Sequence, residues 1–198
     1  MANRITEILK GSYVTRTSGY VDVKAKEELF KEIGAMLGGV FSKSHNPGNV
    51  LSTLKIRIPY EKWEIILTES DTRPLKFQIG FEPLHNYELI IGLEDVIDKI
   101  LKKLGKSEIE IGDDAFDSKY LIHSNDPDIT VRLLNENARS LILKHSLYNL
   151  SYLTDNKKNI SELTSVISRT IDNKEDYLDL VTLHQLLIDN LSDLKIIS

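Results

Sequence analysis

The sequence predicts an α+β fold, with strands and helices in separate blocks of the chain. Between about residues 51 and 91, apolar residues recur at every second position, which is the period of a half-buried strand. After residue 92, apolar residues recur mainly at helical spacing. A C-terminal β-hairpin and a long terminal helix then complete the pattern. Grouped rather than alternating elements are typical of the α+β class.

The composition limits the possible functions. The chain has 198 residues and a net charge of -5, a mildly acidic balance that disfavours nucleic acid as the main ligand. It has no cysteine, which excludes disulfides and thiolate chemistry and fits a reducing compartment. The sequence shows no signal-peptide pattern and no apolar run long enough for a membrane span. We therefore expect a soluble protein of the cytoplasm.

The first half of the chain divides at glycines and turn formers. Residues 1–20 are predicted to be a loosely ordered N-terminal arm, and residues 21–198 a single α+β domain with a possible subdivision near residue 92. A helix is expected from Asp22 to about Leu37, where two glycines follow. The segment after it, residues 41–50, is rich in turn formers and is predicted to be a mobile loop.

Four short alternating runs then predict an antiparallel β-meander with one buried face. They cover residues 54–58, 63–67, 75–81 and 87–91.

Helices dominate the remainder. Helix caps are expected at Asp126, Asn135 and Asn173, each ahead of an apolar periodic run. The other expected elements are a helix over 93–104, a strand over 121–124, and hairpin strands over 146–153 and 162–171. The spacing of Leu163, Val166 and Ile167 also suits a helix in the second of these hairpin segments.

The stretch from Ile111 to Asp126 is the most distinctive part of the chain. Gly112 permits a turn that a side chain would obstruct, and either Asp113 or Asp114 can cap the turn after it. We predict that this stretch anchors a short helical turn in the core. Seven of its residues form what we call the Gly112–Asp126 cluster: Gly112, Asp113, Phe116, Asp117, Tyr120, Asn125 and Asp126.

The pattern Ile-Gly-Asp-x-x-Phe-Asp-x-x-aromatic-x-Ile-x-Ser-Asn-Asp, followed by Leu133, Leu134 and Arg139, resembles a domain family of uncharacterised bacterial proteins. Some relatives in that family are similar to membrane-tethered proteins, with hydrophobic spans ahead of the domain. This sequence has no such span, so tethering does not carry over. The resemblance covers about residues 75–195 and implies a fold group rather than an activity.

Other chemistries fit the sequence poorly. An alternative is a calcium or magnesium site, but the calcium-loop spacing is missing and capping explains most of the acids. The five histidines lack zinc-site spacing, and no nucleophile elbow or P-loop occurs. We therefore predict no catalytic, cofactor-binding or metal-binding residue, and single out only His184 for a buried partner. The candidate acids are Asp113, Asp114, Asp117, Asp126 and Asp128.

The favoured function is a soluble, non-catalytic protein-interaction or regulatory module. Its partner would dock on the exposed sheet edge or on the 41–50 loop. The alternative is a small-ligand or ion sensor with a pocket between the sheet and the C-terminal helix. A third reading is a cryptic enzyme, in which carboxylates or His184 converge in a cleft.

Overall fold

The computed structural model describes residues 23–45, 52–70, 72–93 and 108–198. These ranges contain nine strands and five helices. The strands are β1 (Val40–His45), β2 (Ser52–Tyr60), β3 (Trp63–Ser70), β4 (Arg73–Phe81), β5 (Leu89–Gly92), β6 (Glu108–Ile109), β7 (Leu121–Ser124), β8 (Asn149–Asp155) and β9 (Ile160–Ile167). The helices are α1 (Val23–Met36), α2 (Asp114–Asp117), α3 (Pro127–Leu133), α4 (Glu136–His145) and α5 (Lys174–Asp193).

One antiparallel sheet contains all nine strands, in the order β1-β2-β3-β4-β9-β8-β5-β7-β6. The predicted α+β class, the β8–β9 hairpin and the long terminal helix α5 are confirmed. The meander consists of β2, β3 and β4. The hairpin inserts between β4 and β5, so the fourth alternating run joins the sheet at a distance from the meander.

Strand β1 corrects the prediction of a loop over residues 41–50. Val40–His45 pairs with β2 along its whole length, from Val40 opposite Arg57 to His45 opposite Ser52. Most of its side chains are exposed, so no apolar alternation marks it in the sequence. Residues 46–50 lie outside the described ranges.

Two further predictions concern residues that are not described. The N-terminal arm over 1–20 lies outside the described ranges, as does the expected helix over 93–104 apart from Leu93. Among the helices that are described, none is both long and apolar enough to cross a bilayer.

The predicted end of the first helix is confirmed at its two glycines. Gly38 has a φ of +65°, a left-handed conformation that glycine adopts without strain. Gly39 passes so close to β2 that an added Cβ would lie 2.8 Å from the carbonyl oxygen of Arg57. A side chain at either position would disturb the connection from α1 to β1.

The predicted caps also form. Each cap accepts a hydrogen bond from the backbone N–H three residues on, which satisfies a donor at the start of the helix. The caps are Asp113 for α2, Asp126 for α3, Asn135 for α4 and Asn173 for α5.

The core lies between the sheet and its helices. Helix α1 packs on β1, β2 and α5, and α5 also packs against α3 and α4. The ring of Phe77 on β4 stacks on His184 of α5 at 4.1 Å, and Phe30 of α1 meets Tyr177 of α5 edge-on. The side chains of β2–β4 that point away from these helices form the other, more exposed face of the sheet.

Strand β9 ends earlier than the predicted strand over 162–171. It stops at Ile167, and the next residues leave the sheet. Arg169 instead donates to the backbone oxygen of His145 at 3.3 Å, while Ile171 enters the core. The alternating pattern in the sequence extends past the end of β9 because Ile171 is buried in the core although it lies outside the sheet.

Candidate functional site

Asp113 joins the Gly112–Asp126 cluster to helix α4. One carboxylate oxygen accepts from the backbone N–H of Phe116 at 3.1 Å, and the other lies 2.7 Å from Nε of Arg139. The hydrogen bond from Arg139 lowers the pKa of the Asp113 carboxyl below its usual value. Arg139 also donates to the backbone oxygen of Leu134 at 2.7 Å. This carboxylate is therefore fully engaged in the fold.

Asp117 closes the turn ahead of α2. Its carboxylate accepts three backbone N–H groups, from Ile111, Gly112 and Asp113, at 3.0–3.2 Å. Gly112 has a φ of +78°, which supplies the bend that aims these groups at one side chain. The predicted role of the cluster as an anchored helical turn matches this geometry.

The two aromatic members of the cluster lie in the core. Phe116 and Tyr120 are buried, with ring centroids 5.0 Å apart. The Tyr120 hydroxyl donates to the backbone oxygen of Ile142 at 3.3 Å, and burial raises its pKa to about 12. The two rings therefore fix α2 against α4.

The last two members bind a different part of the chain. Asn125 accepts from the backbone N–H of Glu88 at 2.8 Å and donates to the backbone oxygen of Asn86 at 2.7 Å. Asp126 caps α3 by accepting from Ile129 at 3.0 Å. The cluster thus consists of two separate sets of structural contacts rather than one cavity.

The candidate acids do not assemble into a metal site. Within the described residues, one group of three side chains has ligand atoms close enough to share an ion, and it consists of His145, Asp176 and Asp179. None of the predicted aspartates belongs to it.

Basic side chains already occupy the group around His145. Arg169 donates to Nδ1 of His145 at 2.9 Å and to Asp176 at 2.8 Å. Because a guanidinium only donates, Nδ1 is the acceptor, and the proton on Nε2 points to Asp179 at 3.1 Å. Lys144 binds the same Asp179 carboxylate at 2.5 Å. An ion could bind here only after displacing these cations.

The charges of this network also explain its pKa shifts. Burial opposes ionisation of Asp176, but hydrogen bonds from Arg169 and Asn173 outweigh it and lower the pKa. The hydrogen bond from Lys144 lowers the pKa of Asp179, and the same contact raises the pKa of Lys144. The arrangement joins the end of α4 to the start of α5.

The sequence analysis did not predict this network around His145. A histidine in the last turn of one helix and acids in the first turn of another were nevertheless visible in the sequence.

His184 has the buried partner for which it was singled out. Its Nε2 lies 2.8 Å from the Ser165 hydroxyl, while Nδ1 lies 2.6 Å from the backbone oxygen of Leu180. A backbone carbonyl can only accept, so Nδ1 carries the proton and Nε2 accepts from Ser165. Burial lowers the pKa of His184 to about 4. The imidazole is enclosed in the core, where no substrate reaches it.

A buried ion pair was also missed. Lys26 of α1 lies 3.3 Å from the carboxylate of Glu69 on β3, and the two side chains are 6% and 2% exposed. The Tyr177 hydroxyl donates to the same carboxylate at 2.7 Å, and Lys26 donates to the backbone oxygen of Ile171. The sequence contained a sign of this pair, because Lys26 lies on the apolar face of its helix and Glu69 on the apolar face of its strand.

A polar groove opens on the face of the sheet opposite α1 and α5. It has a volume of about 660 Å³ and lies over β1–β4. We call it the β1–β4 groove. Its lining residues are Ser42, Ser44, Thr53, Lys55, Thr68, Glu69, Ser70, Arg73, Pro74, Lys76 and Gln78.

The sheet edge beside the groove is exposed. No strand of the described ranges pairs with the outer side of β1, whose backbone N–H and C=O groups there can bind another strand. Val40, the first residue of β1, is 67% exposed, and Met36, the last residue of α1, is 54% exposed. The edge and the groove share Ser42 and Ser44.

A comparison with solved structures finds a protein of similar fold. The structure is similar to the crystal structure of the mycobacterial trehalose monomycolate transport factor A, TtfA, with a TM-score of 0.52. The likeness covers 83% of this chain and 93% of that one, at 10% sequence identity, and therefore concerns the fold alone. No protein-family model and no curated protein matches the sequence.

Proposed function

We propose that the protein is a non-catalytic interaction module that binds an extended segment of a partner protein along β1. The observation that supports this is the outer side of β1. This six-residue strand pairs with β2 on one side, and no described strand pairs with it on the other. Adding a strand to such an edge recruits main-chain hydrogen bonds without new cavities. A bacterial cytoplasmic location is part of the proposal, since the sequence resembles a bacterial family and a chain without cysteine fits a reducing compartment.

The partner segment would carry an apolar side chain at the end that meets Val40. Val40 leaves more than half of its surface exposed, and an apolar side chain of the partner can cover it. A second copy of this chain fits less well. In a full antiparallel β1–β1 pair, Val40 would lie opposite His45 of the other copy rather than opposite an apolar residue.

The remaining sites favour a non-catalytic role. Asp113 and Asp117 bind backbone groups and Arg139, and the carboxylates near His145 are held by Lys144 and Arg169. A general base needs a lone pair that a substrate can reach. These groups are engaged in holding elements of the fold together.

The test uses affinity capture from the native host with the full chain, followed by measured affinity for the recovered partner. Val40→Asp should weaken binding by about tenfold or more, because it places a charge in the apolar contact. The matched control is Ile160→Asp, which alters an exposed apolar residue at the β8–β9 turn and should leave the affinity unchanged.

Two results would contradict the proposal. One is equal weakening by both substitutions, which would show that the partner does not bind along β1. The other is a sedimentation experiment in which the chain alone forms a dimer that Val40→Asp dissociates, since the edge would then bind a second copy.

A further inference from the structure

The floor of the β1–β4 groove is a regular array of cations and hydroxyls. Strand pairing aligns two rows across four strands. The first row is Ser42, Lys55, Thr68 and Lys76, and the second is Ser44, Thr53, Ser70 and Arg73. Every side chain in these rows ends in a hydrogen-bond donor.

A β-bulge brings Arg73 into this array. Thr68 pairs with Lys76 and Ser70 with Arg73, so one strand carries an extra residue between the two pairs. In a regular strand, residues 73 and 76 would point to opposite faces. The irregularity lets both line the groove. Pro74 lies within it, and a bulge is one of the places in a sheet where proline is found.

Two of the groove cations lack an acidic partner. Lys55 and Arg73 form no ion pair with any side chain in the described part of the chain. By contrast, Arg57 lies on the same face of β2 and is bound to Glu64 at 2.8 Å. Arg73 is exposed and Lys55 half-buried, and the one acid among the lining residues, Glu69, is already paired with Lys26. Cations without an acidic partner attract an anion.

We propose that the β1–β4 groove binds a small soluble ligand with clustered phosphoryl groups. A carboxylate has two oxygens, whereas each phosphoryl group offers three strong acceptors, and the array supplies five hydroxyls and three cations. None of the lining residues is aromatic, so the groove provides no stacking surface for a base. The ligand class is therefore a phosphorylated compound recognised through its phosphates.

The spacing of the array fits such a ligand. Lys55 and Lys76 stand on either side of Thr68, two strands apart, which is about 10 Å at the usual strand separation. Both flexible side chains can reach a group bound over Thr68. This site extends beyond the proposed partner binding along β1 and does not depend on it.

The experiment is isothermal titration calorimetry of the full chain with inorganic tripolyphosphate at low salt. The expected result is one binding event per chain that weakens as salt is added. Lys55→Gln and Arg73→Gln should each reduce the affinity by about tenfold, the loss of one charge-assisted contact. Citrate, which carries clustered carboxylates, should bind at least about tenfold more weakly.

Arg57→Gln is the matched control. It removes the same charge from the same face of β2, outside the groove, and should change the affinity by less than about twofold. The proposal is overturned by an absence of binding to the wild-type chain, by equal losses in Lys55→Gln and Arg57→Gln, or by citrate binding as tightly as tripolyphosphate. None of these results bears on the Val40→Asp test, so the two proposals fail separately.

Discussion

Asp113 and Arg139 form an ion pair, 2.7 Å from carboxylate oxygen to Nε, that fastens the turn before α2 to the start of α4. The same carboxylate caps α2. Arg139 in turn donates to the carbonyl oxygen of Leu134 just before α4. This one pair of side chains therefore connects the start of α2, the end of α3 and the start of α4.

Arg139→Gln should lower the melting temperature more than Asp113→Asn does. The first change removes the donor to both Asp113 and Leu134, whereas the asparagine side chain in the second keeps an oxygen for the cap. Differential scanning calorimetry measures both variants. A larger loss in Asp113→Asn would show that the charge on Asp113 matters more than the contacts we describe.

Asp117→Ala should destabilise the protein by about 2 kcal/mol, because three backbone N–H groups lose their acceptor. The control is Asp114→Ala, which alters an exposed aspartate in the same short helix and should cost much less. Urea unfolding gives the free energy of each variant. Similar values for the two would contradict the structural role of Asp117.

Lys26→Met should destabilise the protein by about 3 kcal/mol, since it leaves the Glu69 carboxylate buried without its cation. The double variant Lys26→Met, Glu69→Gln should recover a substantial part of that loss, because the remaining amide is neutral. Urea unfolding of a double-mutant cycle measures the coupling. Additive losses would mean that the two side chains do not interact as described.

The stability of the protein should fall as the pH decreases from 6.5 to 4, in part because of His184. Its pKa is lowered from 6.5 to about 4 in the folded state by burial. In this window the unfolded chain takes up a proton that the folded chain excludes, which weakens folding by roughly 3 kcal/mol. Above pH 6.5 both states are neutral and the contribution to stability is complete.

Chemical denaturation at a series of pH values tests this contribution. His184→Gln should show a shallower decline than the wild type between pH 6.5 and 4, whatever its stability at neutral pH. His85→Gln alters an exposed histidine and should keep the wild-type slope. An unchanged slope in His184→Gln would contradict the lowered pKa.

Local sequence signals predicted the elements whose faces differ in polarity. The caps Asp126, Asn135 and Asn173 were predicted, and that of α2 was narrowed to Asp113 or Asp114, because capping depends on neighbours within three residues. Strand β1 was missed because an edge strand exposed on most positions shows no alternation. The insertion of the hairpin β8–β9 beside β4 depends on contacts distant in sequence, which periodicity does not record.

The candidate sites were less predictable than the fold. The groove needs four strands in register and a bulge near Pro74, and neither is visible in a linear pattern. Arg73 and Lys76 would be assigned to opposite faces by simple alternation. The pairing of Lys26 with Glu69 was signalled by charges on two apolar stripes, but the sequence did not show that the stripes face each other.

Hydrogen exchange of the backbone amides, with and without the captured partner, tests the proposed addition of a strand to β1 most directly. We predict that the partner slows exchange in residues 40–45, because a new strand pairs with β1, and leaves residues 111–126 unchanged. Slower exchange confined to residues 111–126 would contradict the account, since the Gly112–Asp126 cluster would then be the binding site rather than part of the scaffold.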